Sequence, residues 1–317
     1  MSGVSVVIPT HNRWPQMRRT LDGALGQTGV EHEVIVVDDC SSDGTSEGLA
    51  GIENDRLRFL RHEQNRGVAA ARNTGIEAAR HEWLAFLDDD DLWAPSKLRT
   101  QLDAAAATGA VMAYSSALVV NDRHEVIGLR EAPAPGELME RLIPGNALPA
   151  GASNVLARTD AVRAAGGFDE RLHQLADWDM WLRLLDEGAA AAVDEPLLAY
   201  VYHPESMLIT DERNLVDEFD HLAEKHRALT KRYRIEFDRP GLWNWMAWGA
   251  SRSGHRFRAT GGYLRAAAGY AVRGPRTWGL ESLRDAGRAL LGRELMDESR
   301  GAGPDAAAEP EWLALYR

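Results

Sequence analysis

The 317-residue chain has one cysteine, Cys40, which excludes an intramolecular disulfide framework and any cysteine-rich zinc site. Lysine is nearly missing too. Lys97, Lys225 and Lys231 are its only occurrences, and arginine makes up the rest of the 36 basic residues. That bias fits a GC-rich genome or a salt-adapted acidic surface, and composition does not separate the two. No stretch approaches the roughly 18–20 consecutive apolar residues that span a bilayer. The first apolar run, Val4 to Ile8, is too short and lacks the basic flank of a secretory signal. Positive charge is in deficit, with 36 basic against 48 acidic residues for a net −12, which argues against nucleic acid as a partner because that needs a broad basic field. There is no Walker-type loop with its lysine and no G-x-G-x-x-G, so neither a P-loop nor a dinucleotide cradle is expected. Phosphates of a bound nucleotide would have to be held by side chains and metal. The expectation is a soluble, cytoplasmic protein.

What is present is a globular composition, 44% hydrophobic and 26% charged, long enough for one large domain with an appendage or for two. The first ninety residues alternate between strand and helix periodicity. Val4–Ile8, Glu33–Val37, Leu57–Leu60 and Trp83–Leu87 read as strands, and Arg13–Leu25 and Val68–Arg80 as helices. This alternation predicts βαβ units and a parallel sheet covered on both faces. Further on, Lys97–Ala107 and Trp178–Glu187 suit helices, while Val111–Val120, Asn154–Ala157 and Leu197–Tyr202 suit strands. Beyond about residue 210 the pattern is helical throughout, until a Gly/Pro/Ala-rich tail expected to be flexible.

Ligands of such sheets bind outside the carboxyl ends of the strands, and three polar clusters fall there: Thr10–Arg13, Asp38–Asp43 and Asp88–Asp91. Four consecutive aspartates repel one another, and a hard divalent cation with oxygen ligands relieves this. Because alternate strand residues share a face, Asp88 and Asp90 are expected to point together; a solvated acidic turn is the plainer reading. Asp38–Gly44 suits either ribose or base recognition or an Asx-type turn. Arg72, on the helix after Asn65-Arg66-Gly67, suits bidentate contact with a diphosphate or a surface ion pair. Asp177 and Asp179 open a helix where one carboxylate is favoured by the dipole, leaving the other for acid–base work. His203, between a strand and Pro204, reads as a core histidine or a metal ligand.

In order along the chain, these segments resemble glycosyltransferase family 2, inverting enzymes of the GT-A fold. The resemblance rests on Val4–Arg13, Val36–Thr45, Asn65–Gly67 through Ala71–Ile76, Trp83–Trp93, Gly166–Glu170, Asp177–Leu184 and Tyr200–His203. It implies an α/β architecture, a Rossmann-like mainly parallel sheet flanked by helices, with a helical C-terminal extension. Residues 1–208 would form the transferase domain, 1–91 binding the sugar nucleotide and 92–208 the acceptor. Residues 209–300 would be the helical region and 301–317 the flexible tail. The implied donor site comprises Pro9, Thr10, His11, Asn12, Arg13, Asp38, Asp39, Arg72, Asp88 and Asp89. Asp90, Asp88 and His203 would ligate Mn²⁺ or Mg²⁺, and Asp177 would be the general base. The implied partners are a nucleoside-diphosphate sugar, UDP-linked in the first place and GDP- or dTDP-linked otherwise, and a saccharide or lipid-linked acceptor.

The sequence departs from the family pattern in places. His11 stands where tyrosine is frequent, which weakens base stacking. Ala176 stands where glutamate often precedes the base, and Asp89 lengthens the acidic run, so which carboxylates face the metal is open. The Q-x-x-R-W signature of processive synthases is absent, pointing to transfer of a single sugar. A nucleotidyltransferase would need a glycine-rich loop where Thr10–Trp14 stand, and a non-catalytic glycan binder should lack the carboxylates.

The net charge is uneven. Between Arg252 and Arg293 lie nine arginines against only Glu281 and Asp285, interleaved with Phe257, Tyr263, Leu264, Tyr270, Trp278, Leu280 and Leu283. Such a segment contacts an anionic membrane surface peripherally, or packs on the catalytic domain with its arginines snorkelling to solvent.

Overall fold

The β-branched runs at the start of the chain lie in the middle of a nine-stranded mixed sheet. The structure is a computed structural model that describes residues 2–202, 214–292 and 309–317, without the side chains of Arg273 and Arg276. The chain divides into two compact units, one of residues 1–142, 146–202 and 301–317, the other of 143–145 and 203–300.

In the first unit β1 (Val4–Thr10) runs parallel to β2 (His32–Asp38) on one side and to β4 (Trp83–Phe86) on the other, with β3 (Leu57–Arg61) outside β2. Helices α1 (Trp14–Leu25), α2 (Thr45–Ala50) and α3 (Val68–Ala78) make the crossovers. Both faces are covered, so β1 and β2 are buried at every position, as parallel sheets require. β1 runs through Pro9 to Thr10, past the expected end at Ile8. β4 pairs only with Val4–Val7, so on that side the missing N–H of Pro9 leaves no ladder bond unmade. α3 lies close to the sheet because Gly75 has no side chain; a Cβ there would meet Val7 Cγ1 at 2.3 Å.

The second half of the sheet mixes directions. It adds β5 (Leu92–Trp93), β6 (Met112–Val120), β7 (Val126–Arg130), β8 (Leu156–Arg158) and β9 (Ala190–Val201), in the order β3-β2-β1-β4-β8-β6-β9-β5, with β7 on β6. β8 is antiparallel to β4 and β6, and β9 is parallel to β6. Helices α4 (Lys97–Thr108), α5 (Leu138–Leu142), α6 (Thr159–Ala164) and α7 (Ala176–Glu187) connect these strands. β5 and β7 were not expected, and β9 starts at Ala190, well before the predicted Leu197. Its first residues are alanines that carry no strand signal of their own and are recruited by pairing with Met112–Tyr114.

Residues 311–316, expected as part of a flexible tail, instead form a 3₁₀ turn, Glu311–Tyr316. Leu313 is fully buried among Leu118, Val120 and Ala199, and Tyr316 Oη donates to the Trp93 carbonyl at 2.6 Å. Apolar side chains at Trp312, Leu313 and Tyr316 account for the correction. The tail residues 301–308 lie outside the described residues. In the second unit every described element between 214 and 292 is a helix: Leu215–Lys225, Arg227–Tyr233, Arg239–Arg252, Arg256–Arg273 and Arg276–Leu290.

Candidate active site

The loops after β1 and β2 are joined by their own side chains. Asn12, in the left-handed region at φ 54°, accepts from the Ser42 N–H at 2.7 Å, and its own N–H donates to Ser41 Oγ at 2.8 Å. His11 Nδ1 donates to the Asp39 carbonyl at 2.8 Å, which leaves Nε2 to accept from Asn12 Nδ2 at 2.9 Å. Asp38 is fully buried and accepts from the Ser41 N–H and Ser46 Oγ, with Arg61 3.5 Å away. Asp39 reaches the other way. It accepts from His62 Nδ1 and from the Arg66 and Gly67 N–H groups, all within 2.9 Å. Asp39 therefore fixes the turn that starts α3, and Asp38 the turn that starts α2. Both stay beside the loop at Thr10–Arg13 at the carboxyl edge of the sheet.

The acidic run is balanced from two sides. Arg72 Nη2 donates to Asp88 Oδ1 at 2.5 Å, and Arg13 Nη1 to Asp90 Oδ2 at 2.7 Å. Asp89 accepts from Thr10 Oγ1 at 2.7 Å and lies 3.8 Å from Arg13. Burial, with the neighbouring Asp90 second, pushes the Asp89 carboxyl up to about 7. Asp91 turns inward, accepts from the Val201 N–H at 3.1 Å, and is raised well above the usual carboxylate range by burial. It ties the run to the end of β9. Arg72 is itself buried, its guanidinium 5.2 Å from the centre of the Phe168 ring. Its Nε has no partner among the described residues, so a donor is left over in a desolvated place, which favours an anionic ligand.

Asp177 and Asp179 stand at the first turn of α7. Asp179 is fully buried and pairs with Arg183 at 2.6 Å, and Arg183 also donates to the carbonyls of Ala165 and Gly167. That carboxylate is structural. Asp177 accepts from its neighbour's N–H at Trp178 and from Asn146 Nδ2 at 3.1 Å. Burial raises its pKa, and the nearby Arg72 opposes the rise while Asp88 adds to it. Asp177, Arg72 and Asp88 thus share one electrostatic environment. Gly151, at φ +50°, lies so close that a Cβ would fall 2.6 Å from Asp177 Oδ2.

Thr10, Arg13, Arg72, Asp88, Asp89, Asp90 and Asp177 are thereby linked by bonds or charge, and His11, Asn12, Asp38 and Asp39 form the adjoining loop pair. Pro9, the last predicted member, is buried within β1. His203 lies outside the described residues. Asp88 and Asp90 offer hard oxygen donors suited to Mg²⁺ or Mn²⁺. Among the described residues no group of three His, Cys, Asp or Glu forms a ready cage, so an ion would take further ligands from a diphosphate and water. Sequence reasoning missed Asn146 on Asp177, His62 on Asp39, and Ser153, whose Oγ accepts from the Asp88 N–H at 3.0 Å. None of these has a local signal. Phe168 fell within a quoted segment, but its contact with Arg72 was not foreseen.

The profile described as Glycosyl transferase family 2 matches residues 5–165. The succinoglycan biosynthesis protein ExoO of Rhizobium meliloti is 33% identical over 243 residues, 74% of this chain and 69% of that protein. The Escherichia coli UDP-Glc:alpha-D-GlcNAc-diphosphoundecaprenol beta-1,3-glucosyltransferase WfgD is 31% identical over 130 residues, 41% of this chain and 51% of its own length. Among solved structures, residues 1–349 of Staphylococcus aureus TarS in complex with UDP-GlcNAc share the fold with a TM-score of 0.54 and 18% identity, over 93% of this chain and 95% of that one. A family profile over half the chain, and a relative matched over most of its length, place this chain in glycosyltransferase family 2, and it is a glycosyltransferase.

Proposed function

We propose that this enzyme transfers one sugar from a nucleoside-diphosphate sugar, UDP-linked in the first place, to a hydroxyl of a saccharide or lipid-linked acceptor with inversion at the anomeric carbon. GDP- and dTDP-sugars are the other donors to be tested. The observation that carries this reading is the shared environment of Asp177, Arg72 and Asp88, which sets a proton acceptor beside an anion-binding cluster. The UDP-GlcNAc bound by TarS and the lipid-diphosphate acceptor in the name of WfgD support the two substrate classes. A lipid-linked acceptor would be met at the cytoplasmic face of a membrane.

Asp177 takes the proton of the acceptor hydroxyl as its oxygen attacks the anomeric carbon. Its raised pKa makes it a stronger base than an ordinary carboxylate. Asn146 and the Trp178 N–H hold its two oxygens in place. The bond to the diphosphate breaks on the opposite face, so a single displacement inverts the centre. Arg72 and Arg13 are the cations that meet the diphosphate, and the loop Pro9–Arg13 with Asp38 and Asp39 forms the wall for the nucleoside. Asp88 and Asp90 would hold a divalent ion, and the resemblance to the family adds His203 as a third ligand. When bound, that ion supplies Lewis-acid stabilisation of the leaving diphosphate.

Nucleoside diphosphate release from UDP-, GDP- and dTDP-sugars with Mn²⁺ or Mg²⁺ tests the reading. Asp177→Asn should lower kcat by about 100-fold or more while donor affinity is kept. Asp90→Ala should weaken both metal dependence and donor binding. Transfer at the wild-type rate in Asp177→Asn would remove Asp177 as the base.

A further inference from the structure

The last two described helices of the second unit carry their large apolar side chains on the wrong side for a soluble fold. Between helices Arg239–Arg252, Arg256–Arg273 and Arg276–Leu290 the buried contacts are made by small residues, Ala247, Ala250, Ala259, Ala286 and Ala289, around Tyr263. Glycines bring the backbones still closer: a Cβ at Gly262 would lie 2.8 Å from that of Ala247, and one at Gly269 2.7 Å from the Pro240 ring. Polar ties fix the arrangement, Tyr270 Oη donating to Asp238 at 2.8 Å and Ser282 Oγ to Asn244 at 3.0 Å. Tyr263 and Tyr270 are the large side chains of the last two helices that this packing buries.

The other large apolar side chains face outward. On Arg256–Arg273 they are Phe257 (69% exposed), Leu264 and Val272 (80%), at spacings of seven and eight that fall on one stripe of an α-helix. On Arg276–Leu290 and the residue after it, Leu280 (67%), Leu283, Leu290 and Leu291 (67%) do the same. Arg258 and Arg265 flank the first stripe and Arg284 and Arg288 the second, and none of these four is fully buried. At 1.5 Å per residue the stripes run about 22 and 17 Å, and no described helix is long and apolar enough to cross a membrane.

We infer that the outer face of these two helices is a docking surface for an anionic lipid bilayer, lying in the interface with its apolar stripes among the acyl chains and its arginines at the headgroup phosphates. Small residues packed between helices and large ones left outside is the arrangement expected where lipid covers the outer face. The arginines supply the complementary charge. A second copy of the chain is the poorer occupant, because a two-fold contact sets the same arginines against themselves. The inference stands on this surface alone and does not depend on the assignment of the base or the metal.

Co-sedimentation of the full chain with phosphatidylcholine vesicles, with and without one-third phosphatidylglycerol, tests it. Binding should be at least about tenfold stronger to the anionic vesicles and should weaken in 0.5 M salt, about the range where screening becomes short. The triple variant Phe257→Ser, Leu280→Ser, Leu291→Ser and the pair Arg265→Glu, Arg284→Glu should each reduce it about tenfold or more. All five positions are exposed, and nucleoside diphosphate release should stay at the wild-type level, which shows that the variants fold. A chain that stays in the supernatant with both vesicles overturns the inference. So does a concentration-dependent dimer, seen by sedimentation velocity and abolished by the triple variant, which would give the face to a second copy.

Discussion

At the first turn of α7 two carboxylates with one residue between them have different partners, and substitution should separate them. Asp179→Asn leaves the Arg183 guanidinium facing a neutral amide and should cost about 3 kcal/mol, read as a lower thermal midpoint with activity lost in step with folding. Asp177→Asn removes a desolvated charge and should leave the midpoint unchanged or raise it. The raised pKa of Asp177 also fixes a sign. As the proposed base Asp177 acts when deprotonated, so kcat/KM should fall as pH drops through a value above the ordinary 3.8 of an aspartate, and Asp177→Asn should flatten that limb. Asp89 gives the matching stability effect. Its folded carboxyl titrates at about 7 against an ordinary 3.8, so the folded state holds the proton more tightly and this contribution to stability falls as pH rises across that window. The midpoint of the metal-free protein should therefore fall relative to that of Asp89→Asn as pH rises from about 4 to 7, and a wild-type midpoint that gains on the variant over that range would contradict the assignment. At this scale the sequence disclosed the carboxylates but not their partners. Asn146 and His62 come from distant segments, whereas Arg183 stands four residues after Asp179 on α7, an i,i+4 spacing that the sequence offered and that separates Asp179 from Asp177.

Strands β1 and β2 were legible because β-branched runs buried on both faces leave a strong local pattern, β4 because it is a short apolar run and β3 because arginine is interspersed with leucine and phenylalanine. β5, β7 and the alanines opening β9 were not, since short or small-residue strands take their conformation from a partner already in place. Most of the segment between α5 and β8 was equally silent, and Asn154, expected to open a strand, instead closes a 3₁₀ turn, Gly151–Asn154, yet the segment supports the site. Asn154 is buried, donates to the carbonyls of Ser115 and Pro149 and accepts from the Ser115 N–H, while its own carbonyl accepts from Gln101 and Lys97. Lys97, expected only as the start of a helix, is fully buried with its ammonium 4.1 Å from the Trp93 ring centre. Gly151 in the same segment leaves free the space a Cβ would take beside Asp177 Oδ2, in a backbone region L-residues disfavour. Gly151→Ala should therefore lower kcat by about tenfold or more through a displaced carboxylate, with a smaller effect on KM for the donor. Unchanged kcat would show that Asp177 has room to move.

For the molecule as a whole, two compact units predict two calorimetric transitions, and the candidate site lies in one of them. UDP with Mn²⁺ at about 100 times its dissociation constant should stabilise the unit that binds it by about 2.7 kcal/mol, moving one transition upward by several degrees and leaving the other in place. A single transition that moves entire would mean that the units unfold together. The order of the segments has one more consequence. The catalytic unit is built from stretches on either side of 203–300, and the patch formed by Leu118, Val120 and Ala199 receives Leu313 only from the far side of that insertion. On the ribosome the sheet can pair while this patch still faces water, and it stays sticky until the helical unit has been synthesised behind it. Translation thus leaves a timed window of exposure, in which a chaperone or a neighbouring nascent chain competes with the Glu311–Tyr316 turn.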